Sequence, residues 1–209
     1  MGCGDTGGLG EVIPAVITCY SENMAEVAAL TVPTHARLAE TWSMHHEART
    51  VPQEGCLWAK IDMIREYLDR GHPLVCWLDA DAAVTNPAKC EPRSSSLALT
   101  CDVHGPNAGV MFIANTLLTR QFFFALSGYG RQLAANMINP EQSAIRWMTL
   151  HPPYDQLLDI RAQRTMNSYW PGAYEYPGAE EAHWQKGDLI LHLPGLENKR
   201  RLEILSQAL

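Results

Sequence analysis

One apolar run ends in two acids separated by a single residue, and this run constrains the fold more than any other part of the chain. Residues 74–78 read Leu-Val-Cys-Trp-Leu, which is typical of a strand buried on both faces, and Asp79 and Asp81 follow directly. On extended backbone, side chains two residues apart point to the same side. In an open α/β sheet, ligands collect beyond the carboxyl ends of the strands. The run therefore predicts a strand that carries a divalent-cation site at its end, where the cation can neutralise a diphosphate.

Apolar periodicity elsewhere predicts the other elements of a single α/β domain. Strands are predicted at residues 12–19, 96–100, 109–114, 157–160 and 188–193. Helices are predicted at residues 23–42 with a break near Pro33, at 56–68, at 116–137, from Asn139-Pro140 onward, and at 197–209. We expect this domain to occupy residues 12–209 and a flexible glycine-rich tail to occupy residues 1–11.

Two segments between these elements are expected to shape a ligand site. Residues 102–108 are rich in turn formers and predict a loop that lines the site, and residues 165–186 predict an irregular covering loop. In the helix at 56–68, Leu57, Ile61, Ile64 and Leu68 form one apolar face. Lys60 lies at the border of that face, from which its amine can reach a ligand.

Composition restricts the classes of function. The 209 residues are long enough for one core, and no run approaches the ~20 apolar residues that span a bilayer. We expect a soluble cytoplasmic protein with no membrane anchor and with reduced cysteines, since the six cysteines form no Cys-x-x-Cys pair. A net charge of −7 gives no general attraction to nucleic acid, and only residues 199–201 form a dense basic cluster.

Several sequence blocks together resemble a known enzyme family. These are Trp-Ala-Lys-Ile at 58–61 leading into Trp-Leu-Asp-Ala-Asp-Ala at 77–82, Asn-Ala-Gly at 107–109, Glu-Gln-Ser-Ala at 141–144, and Gly-Asp-Leu-Ile-Leu-His-Leu-Pro-Gly at 187–195. Their order and spacing resemble the galactosyl/xylosyltransferase family of fungal mannan and plant xyloglucan synthesis. The resemblance implies a GT-A fold, which is a single-domain, Rossmann-like mixed sheet flanked by helices. It also implies a UDP-sugar donor, Mn²⁺ with Mg²⁺ as the alternative, and transfer with retention of anomeric configuration.

The resemblance also implies roles for individual residues. The metal ligands would be Asp79, Asp81 and His192. Donor-binding residues would be Lys60, Asp79, Asn107, Gly109, Gly195 and Lys199, joined by Tyr20 and Ser21 on fold analogy because they follow the first strand. The catalytic group would be Glu141, Gln142 and Asp102, with the first two stabilising an oxocarbenium-like transition state.

The chain departs from the family pattern at two of these positions, and other readings stay open. Glu141 stands where the family has aspartate, and Lys199 comes four residues after Gly195 where the family has a lysine after two. One alternative is a non-catalytic sugar-nucleotide or glycan-binding protein on the same fold. Another is a phosphatase of the haloacid dehalogenase kind, which also places Asp-x-Asp after a buried strand. For a transferase, the acceptor could be a glycan, a protein, a small molecule or a hydroxymethylated DNA base.

Overall fold

The computed structural model describes residues 12–89, 91–173 and 179–209, so the predicted tail at 1–11 lies outside the described residues. The strands are β1 Ala15–Tyr20, β2 His45–Thr50, β3 Leu74–Leu78, β4 Ala82–Val84, β5 Leu97–Asp102, β6 Gly105–Ala114, β7 Leu158–Arg161, β8 Ser168–Tyr169 and β9 Ile190–His192. The α-helices are α1 Ala25–Thr41, α2 Cys56–Asp69, α3 Leu117–Ala125, α4 Arg131–Leu133, α5 Pro140–Met148, α6 Gln163–Met166 and α7 Asn198–Ala208. Short 3₁₀ turns cover Glu22–Met24 and Ala179–Ala182, and Leu126–Gly130 is a π-helical turn.

The strands form one large mixed sheet and one small sheet. The large sheet has the order β2-β1-β3-β6-β5-β7, in which β1 is parallel to β2 and β3, and β6 is antiparallel to both β3 and β5. The small sheet has the order β4-β9-β8, with β9 antiparallel to β4 and parallel to β8. The predicted mixed α/β architecture is therefore confirmed.

The central strand β3 is buried on both faces, as its composition predicts. All five of its residues are buried, and its alternate side chains enter two different cores. Val75 and Trp77 pack with residues of α2, α3 and α5, whereas Cys76 and Leu78 pack with α1 and the small sheet. The strand end that carries Asp79 and Asp81 is consequently held between two packed layers.

Helix α1 is bonded directly to the backbone that follows the acid pair. Thr31 Oγ1 donates to the Ala80 carbonyl at 2.6 Å, Thr34 Oγ1 accepts from the Val84 amide at 2.8 Å, and His35 Nε2 contacts the Ala82 carbonyl at 2.5 Å. These side chains are buried, so water does not compete for the bonds. The chain from residue 80 to residue 84 is thereby fixed to the helix.

The structure corrects several of the predicted elements. Helix α1 is continuous through Pro33, although proline cannot donate the usual helical hydrogen bond, because the helix has a buried face that packs on the sheets. The predicted loop at 102–108 is mostly a tight hairpin, so Asn107 lies on β6. Asn139 precedes α5 in the left-handed region with φ of 48° and makes no side-chain cap, although Pro140 does begin the helix.

Three strands are not predicted from the sequence. Strands β2, β4 and β8 are short or polar, and β8 lies within the segment predicted as an irregular loop. The other predicted strands are confirmed, with bounds that differ by a few residues. Among the helices of the described ranges, none is long and apolar enough to cross a membrane.

Candidate functional site

The three predicted metal ligands lie together where β3 and β9 end. The Asp79 amide donates to the Gly109 carbonyl at 2.7 Å, and the Leu193 amide donates to the Asp81 carbonyl at 3.0 Å, which ties this corner to β6 and β9. One ligand atom from each of Asp79, Asp81 and His192 lies within 4.8 Å of the others. A small cation is therefore within reach of all three side chains.

The His192 ring has a fixed orientation. Asn167 donates from Nδ2 to Thr100 Oγ1 at 3.0 Å and to Asn107 Oδ1 at 3.2 Å, so its own Oδ1 is left to accept from His192 Nδ1 at 2.9 Å. With Nδ1 as the donor in this bond, Nε2 is the ring nitrogen left to bind a cation. That Nε2 faces Asp81 Oδ1 at 3.4 Å. The arrangement is typical of a metal-binding histidine, whose second nitrogen is held by a hydrogen-bond partner.

Gly109 makes room for this ring. A Cβ added to Gly109 would lie 2.1 Å from Cε1 of His192 and 2.7 Å from its Nε2. The Gly109 amide also donates to Asn107 Oδ1 at 2.9 Å. Absence of a side chain at residue 109 is thus a condition for the observed position of the imidazole.

Lys60 lies inside the site and not at the helix border that periodicity predicts. Its side chain is only 5% exposed, and its Nζ lies 2.9 Å from Asp79 Oδ1, 3.5 Å from Glu141 Oε1 and 3.2 Å from the Ala108 carbonyl. Burial lowers the pKa of this amine, but the two carboxylates outweigh burial and raise the pKa above its ordinary value. Trp77 Nε1 donates to the same Asp79 oxygen at 2.7 Å. Lys60 therefore stays charged and holds the Asp79 and Glu141 carboxylates.

Glu141 and Gln142 begin α5 and face the same corner. Glu141 is 5% exposed, and its Oε2 has no hydrogen-bond partner among the described residues. A buried carboxylate oxygen is costly in a folded protein unless a water or a ligand supplies its partner. Gln142 Oε1 accepts from the Ala108 amide at 3.5 Å.

Asp102 is connected to His192 by a chain of hydrogen bonds. Its Oδ2 accepts from Asn107 Nδ2 at 2.9 Å and from the Tyr169 hydroxyl at 3.0 Å. Asn107 in turn contacts Asn167, which holds His192. In this structure Asp102 orders the polar network and also borders a cavity.

Two cavities meet at the acid pair. The larger one, of about 530 Å³, lies at the carboxyl ends of β1 and β3, and the smaller one, of about 250 Å³, lies between β6, α5 and β9. Both are lined by Leu57, Lys60, Asp79 and Asp81. The corner formed by Asp79, Asp81 and His192, which we call the metal-binding corner as the candidate cation site, therefore lies between the two cavities.

The other predicted donor-binding residues are divided between these cavities, with one exception. Tyr20 and Ser21 line the larger cavity, whereas Asn107, Gly109 and Gly195 line the smaller one together with Asp102, Glu141, Gln142 and His192. Gly195 has φ of 71°, which favours glycine in that turn. Lys199 is exposed in the first turn of α7 and lines neither cavity.

Arg201, and not Lys199, is the basic residue of α7 that contacts the acid pair. Its Nη2 donates to Asp81 Oδ2 at 2.9 Å, its Nε donates to the Leu193 carbonyl at 3.1 Å, and its Nη1 donates to Asn198 Oδ1 at 2.9 Å. Burial of Asp81 opposes its ionisation, but His192 and Arg201 outweigh burial and hold the pKa of its carboxyl below the ordinary value. Asp81 is therefore ionised and already has a cationic partner.

Two residues that contact the candidate site are not predicted from the sequence, namely Arg201 and Asn167. Helical spacing carries a signal for Arg201, because it shares a face of α7 with the buried Ile204 and Leu205, whereas Lys199 does not. Asn167 lies in a segment without periodicity, so no pattern in the sequence separates it from other polar loop residues.

The side chains of Asp79, Asp81 and His192 suit a divalent cation that accepts both oxygen and nitrogen ligands. Two carboxylates and one neutral imidazole fit Mn²⁺, and the carboxylates also suit Mg²⁺. The buried imidazole is already oriented by Asn167, which is a feature of metal centres. The residues present therefore fit the expected group.

The order of the large sheet and the acid pair at the end of β3 define this chain as a protein of the GT-A fold, the fold expected from the sequence. The solved structures similar to it include a glycosyltransferase involved in glycosylation of the major capsid of PBCV-1, with a TM-score of 0.72 and 14% identity over 94% of this chain and 100% of that chain. The galactosyltransferase LgtC in complex with donor and acceptor sugar analogs matches with a TM-score of 0.55 and 12% identity, over 93% of this chain and 96% of that one.

A third similar structure is mouse xyloside xylosyltransferase 1, with a TM-score of 0.54 and 9% identity over 88% of this chain and 98% of that chain. No protein-family model and no curated protein matches the sequence. At these identities the likeness establishes a shared fold.

Proposed function

We propose that this chain is a metal-dependent, retaining glycosyltransferase that moves a hexose or pentose from a UDP-sugar to an acceptor hydroxyl. The observation that carries the proposal is the position of Asp79, Asp81 and His192 between two cavities. A donor with its nucleotide in one cavity and its sugar in the other would have its diphosphate at this corner. The solved transferases that share the fold support the same class of reaction.

The larger cavity suits the nucleotide half of the donor. It lies beyond the carboxyl ends of β1 and β3, where open α/β sheets bind ligands, and its volume of about 530 Å³ is in the range of small-molecule sites. It is bordered by Tyr20, the last residue of β1, and by Ser21, which follows it. We assign the base and ribose to this end and the diphosphate to the end near Asp81 and Arg201.

Asp79, Asp81 and His192 would hold the cation, and when bound it would neutralise the leaving diphosphate. Asn167 keeps the nitrogen Nε2 of His192 available, and Lys60 keeps the Asp79 carboxylate in place. Asp79 has a second neighbour in the indole of Trp77. These contacts fix the ligands before the donor arrives, which lowers the cost of ordering the site.

The smaller cavity suits the transferred sugar. Glu141 presents a buried carboxylate oxygen without a partner in the described ranges, and this oxygen would stabilise positive charge that develops on the sugar ring. Gln142, Asp102 and Asn107 would bind sugar hydroxyls. In a retaining transfer the acceptor oxygen forms its bond to the anomeric carbon on the face from which the phosphate leaves. The acceptor proton passes to the departing β-phosphate oxygen, so no side-chain base is required.

The alternative readings are less consistent with the geometry. A phosphatase of the haloacid dehalogenase kind needs a nucleophilic aspartate, whereas the Asp79 oxygens already accept hydrogen bonds from Lys60 and Trp77. A DNA acceptor would gain support from a basic rim at the cavities. Arg201 lines the larger cavity, but three other basic residues line neither cavity: Lys186, Lys199 and Arg200.

The proposal is tested by calorimetric titration of UDP in the presence of Mn²⁺ and then of a chelator. Wild-type protein should bind UDP only with Mn²⁺, and Asp81→Asn should abolish that binding. Asp155→Asn removes the same charge at an exposed position outside both cavities and should bind as wild type does. Equal binding by wild type and Asp81→Asn would contradict the site assignment. Screening of UDP-sugars would follow, with proton NMR coupling of the product, where an inverted anomer would contradict retention.

A further inference from the structure

Arg201 donates a hydrogen bond to the carboxylate of Asp81, which the proposed cation would also bind. The guanidinium of Arg201 bonds Asp81 Oδ2 at 2.9 Å, while the other oxygen of that carboxylate faces His192 at 3.4 Å. The arginine side chain is 12% exposed and lines the larger cavity, in which we place the diphosphate. It therefore contacts a metal ligand on one side and the donor space on the other.

The guanidinium of Arg201 is held by hydrogen bonds from all three of its nitrogens. Nε and Nη1 bond the Leu193 carbonyl and Asn198 Oδ1, and these two acceptors are provided by the chain around the start of α7. Nη2 makes the contact with Asp81. Because the guanidinium is planar, moving Nη2 away from Asp81 also weakens the other bonds, so the exchange requires an anion in the cavity that replaces the lost contacts.

The charges at this corner are already nearly balanced. Lys60 neutralises charge on Asp79 and Glu141, and Arg201 neutralises charge on Asp81, so three carboxylates face two cations. A dication that enters must approach Arg201 at short range, where like charges repel. A diphosphate changes this balance, because it brings negative charge that a guanidinium binds well in a bidentate manner.

We propose that Arg201 is an internal competitor of the divalent cation at Asp81, and that the diphosphate of the donor relieves this competition by drawing the guanidinium away. The second half rests on the proposed function. Cation binding and donor binding are then positively coupled, and by linkage each raises the affinity for the other by the same factor. The chain would take up its cation mainly together with the donor.

The test is a titration with Mn²⁺ alone, without nucleotide, read by calorimetry or by the electron paramagnetic resonance signal of free Mn²⁺. Arg201→Gln should bind Mn²⁺ about tenfold more tightly than wild type, because a charge that opposes the cation is gone. If Arg201 only supported the structure of the site, its replacement would weaken Mn²⁺ binding instead. Arg200→Gln is the matched control, since Arg200 is the preceding residue on α7, is exposed and pairs with Glu203. It should bind Mn²⁺ as wild type does.

A second arm measures the coupling itself. In wild type, UDP should raise the affinity for Mn²⁺ by about a hundredfold, and in Arg201→Gln this factor should fall to about tenfold or less. Arg201→Lys keeps the positive charge but lacks the planar guanidinium with its several hydrogen-bond donors. Its Mn²⁺ affinity and its coupling factor should lie between those of wild type and Arg201→Gln. This variant can replace Arg201→Gln in the test if the latter does not fold. Equal Mn²⁺ affinity in wild type and both Arg201 variants, or weaker affinity in the variants, would overturn the proposal.

The two arms separate this inference from the proposed function. If UDP binds to wild type under no condition while Arg201→Gln still gains affinity for Mn²⁺, competition at Asp81 is supported and the nucleotide assignment fails. If UDP binds with Mn²⁺ but the Arg201 variants leave Mn²⁺ binding unchanged, the donor site stands and the competition is refuted.

Discussion

Replacement of Gly109 by alanine should disturb the metal-binding corner through one contact. The new methyl group would lie 2.1 Å from Cε1 of His192, so the ring must move about 1.3 Å to restore an ordinary contact of 3.4 Å. A displacement of that size breaks the 2.9 Å bond between His192 and Asn167 and moves Nε2 away from Asp81. Overpacking of this kind costs about 1–3 kcal/mol of unfolding free energy.

The affinity for Mn²⁺ should fall in Gly109→Ala because the His192 imidazole is displaced. Loss of the group that orients a metal-binding histidine typically costs about 10–100-fold in affinity, and we expect Gly109→Ala to fall in that range. The assay is Mn²⁺ titration with UDP present, together with denaturant unfolding in metal-free buffer. Gly128→Ala is the matched control, because an added Cβ there meets nothing within 4 Å. It should change neither quantity appreciably.

A double-mutant cycle isolates the responsible contact. In a His192→Ala background the ring that the methyl group meets is absent, so Gly109→Ala should cost almost nothing in stability. If Gly109→Ala destabilises the protein equally in both backgrounds, the steric argument is wrong. Wild-type affinity for Mn²⁺ in Gly109→Ala would refute the role of the His192 ring.

Two further predictions concern titratable groups. Burial lowers the pKa of His35 to about 4 from an unfolded value of 6.5. The unfolded chain therefore binds a proton first as the pH falls. The free energy of unfolding should be unaffected by His35 above pH 6.5 and should fall by about 3 kcal/mol between pH 6.5 and pH 4. Urea unfolding should show that this acid-dependent loss is reduced in His35→Gln, and an unchanged loss would contradict the assignment. A hydrogen bond from Cys19 lowers the pKa of Cys56 to about 7, so its alkylation by iodoacetamide should rise with pH through about 7 and be slowed by UDP with Mn²⁺. The half-buried Cys101, whose pKa is raised by burial, is the control in peptide mass mapping, and a Cys56 that reacts only at the pH of Cys101 would refute the prediction.

Elements whose burial follows a simple period are predictable from the sequence. Strand β3 is apolar throughout because both of its faces are covered, and α2 shows its buried stripe at helical spacing. The acid pair and His192 stand out because polar ligands at strand ends interrupt such apolar runs. These features suffice to predict the fold, and the three side chains that they single out do lie close together.

Other features depend on contacts that no local pattern records. Strand β2 reads His-His-Glu-Ala-Arg-Thr and lies at the edge of the large sheet, where its half-exposed side chains show no alternation. Lys60 is buried because the Asp79 and Glu141 carboxylates come from distant parts of the chain to neutralise it. Periodicity assigns such a lysine to the helix border, since it takes account of hydrophobicity but not of charge pairing.

The bonds from α1 to residues 80–84 decide which side of the site can adapt to ligands. Thr31, Thr34 and His35 hold the backbone on both sides of Asp81 in a buried environment, so that backbone is expected to keep its position in every bound state. We expect adjustment to ligands of different size to come from the segment before and at the start of α7, where Arg201 borders the larger cavity and Gly195 borders the smaller one. Engineering of donor range in this chain should accordingly begin at residues 194–201 and leave α1 unchanged.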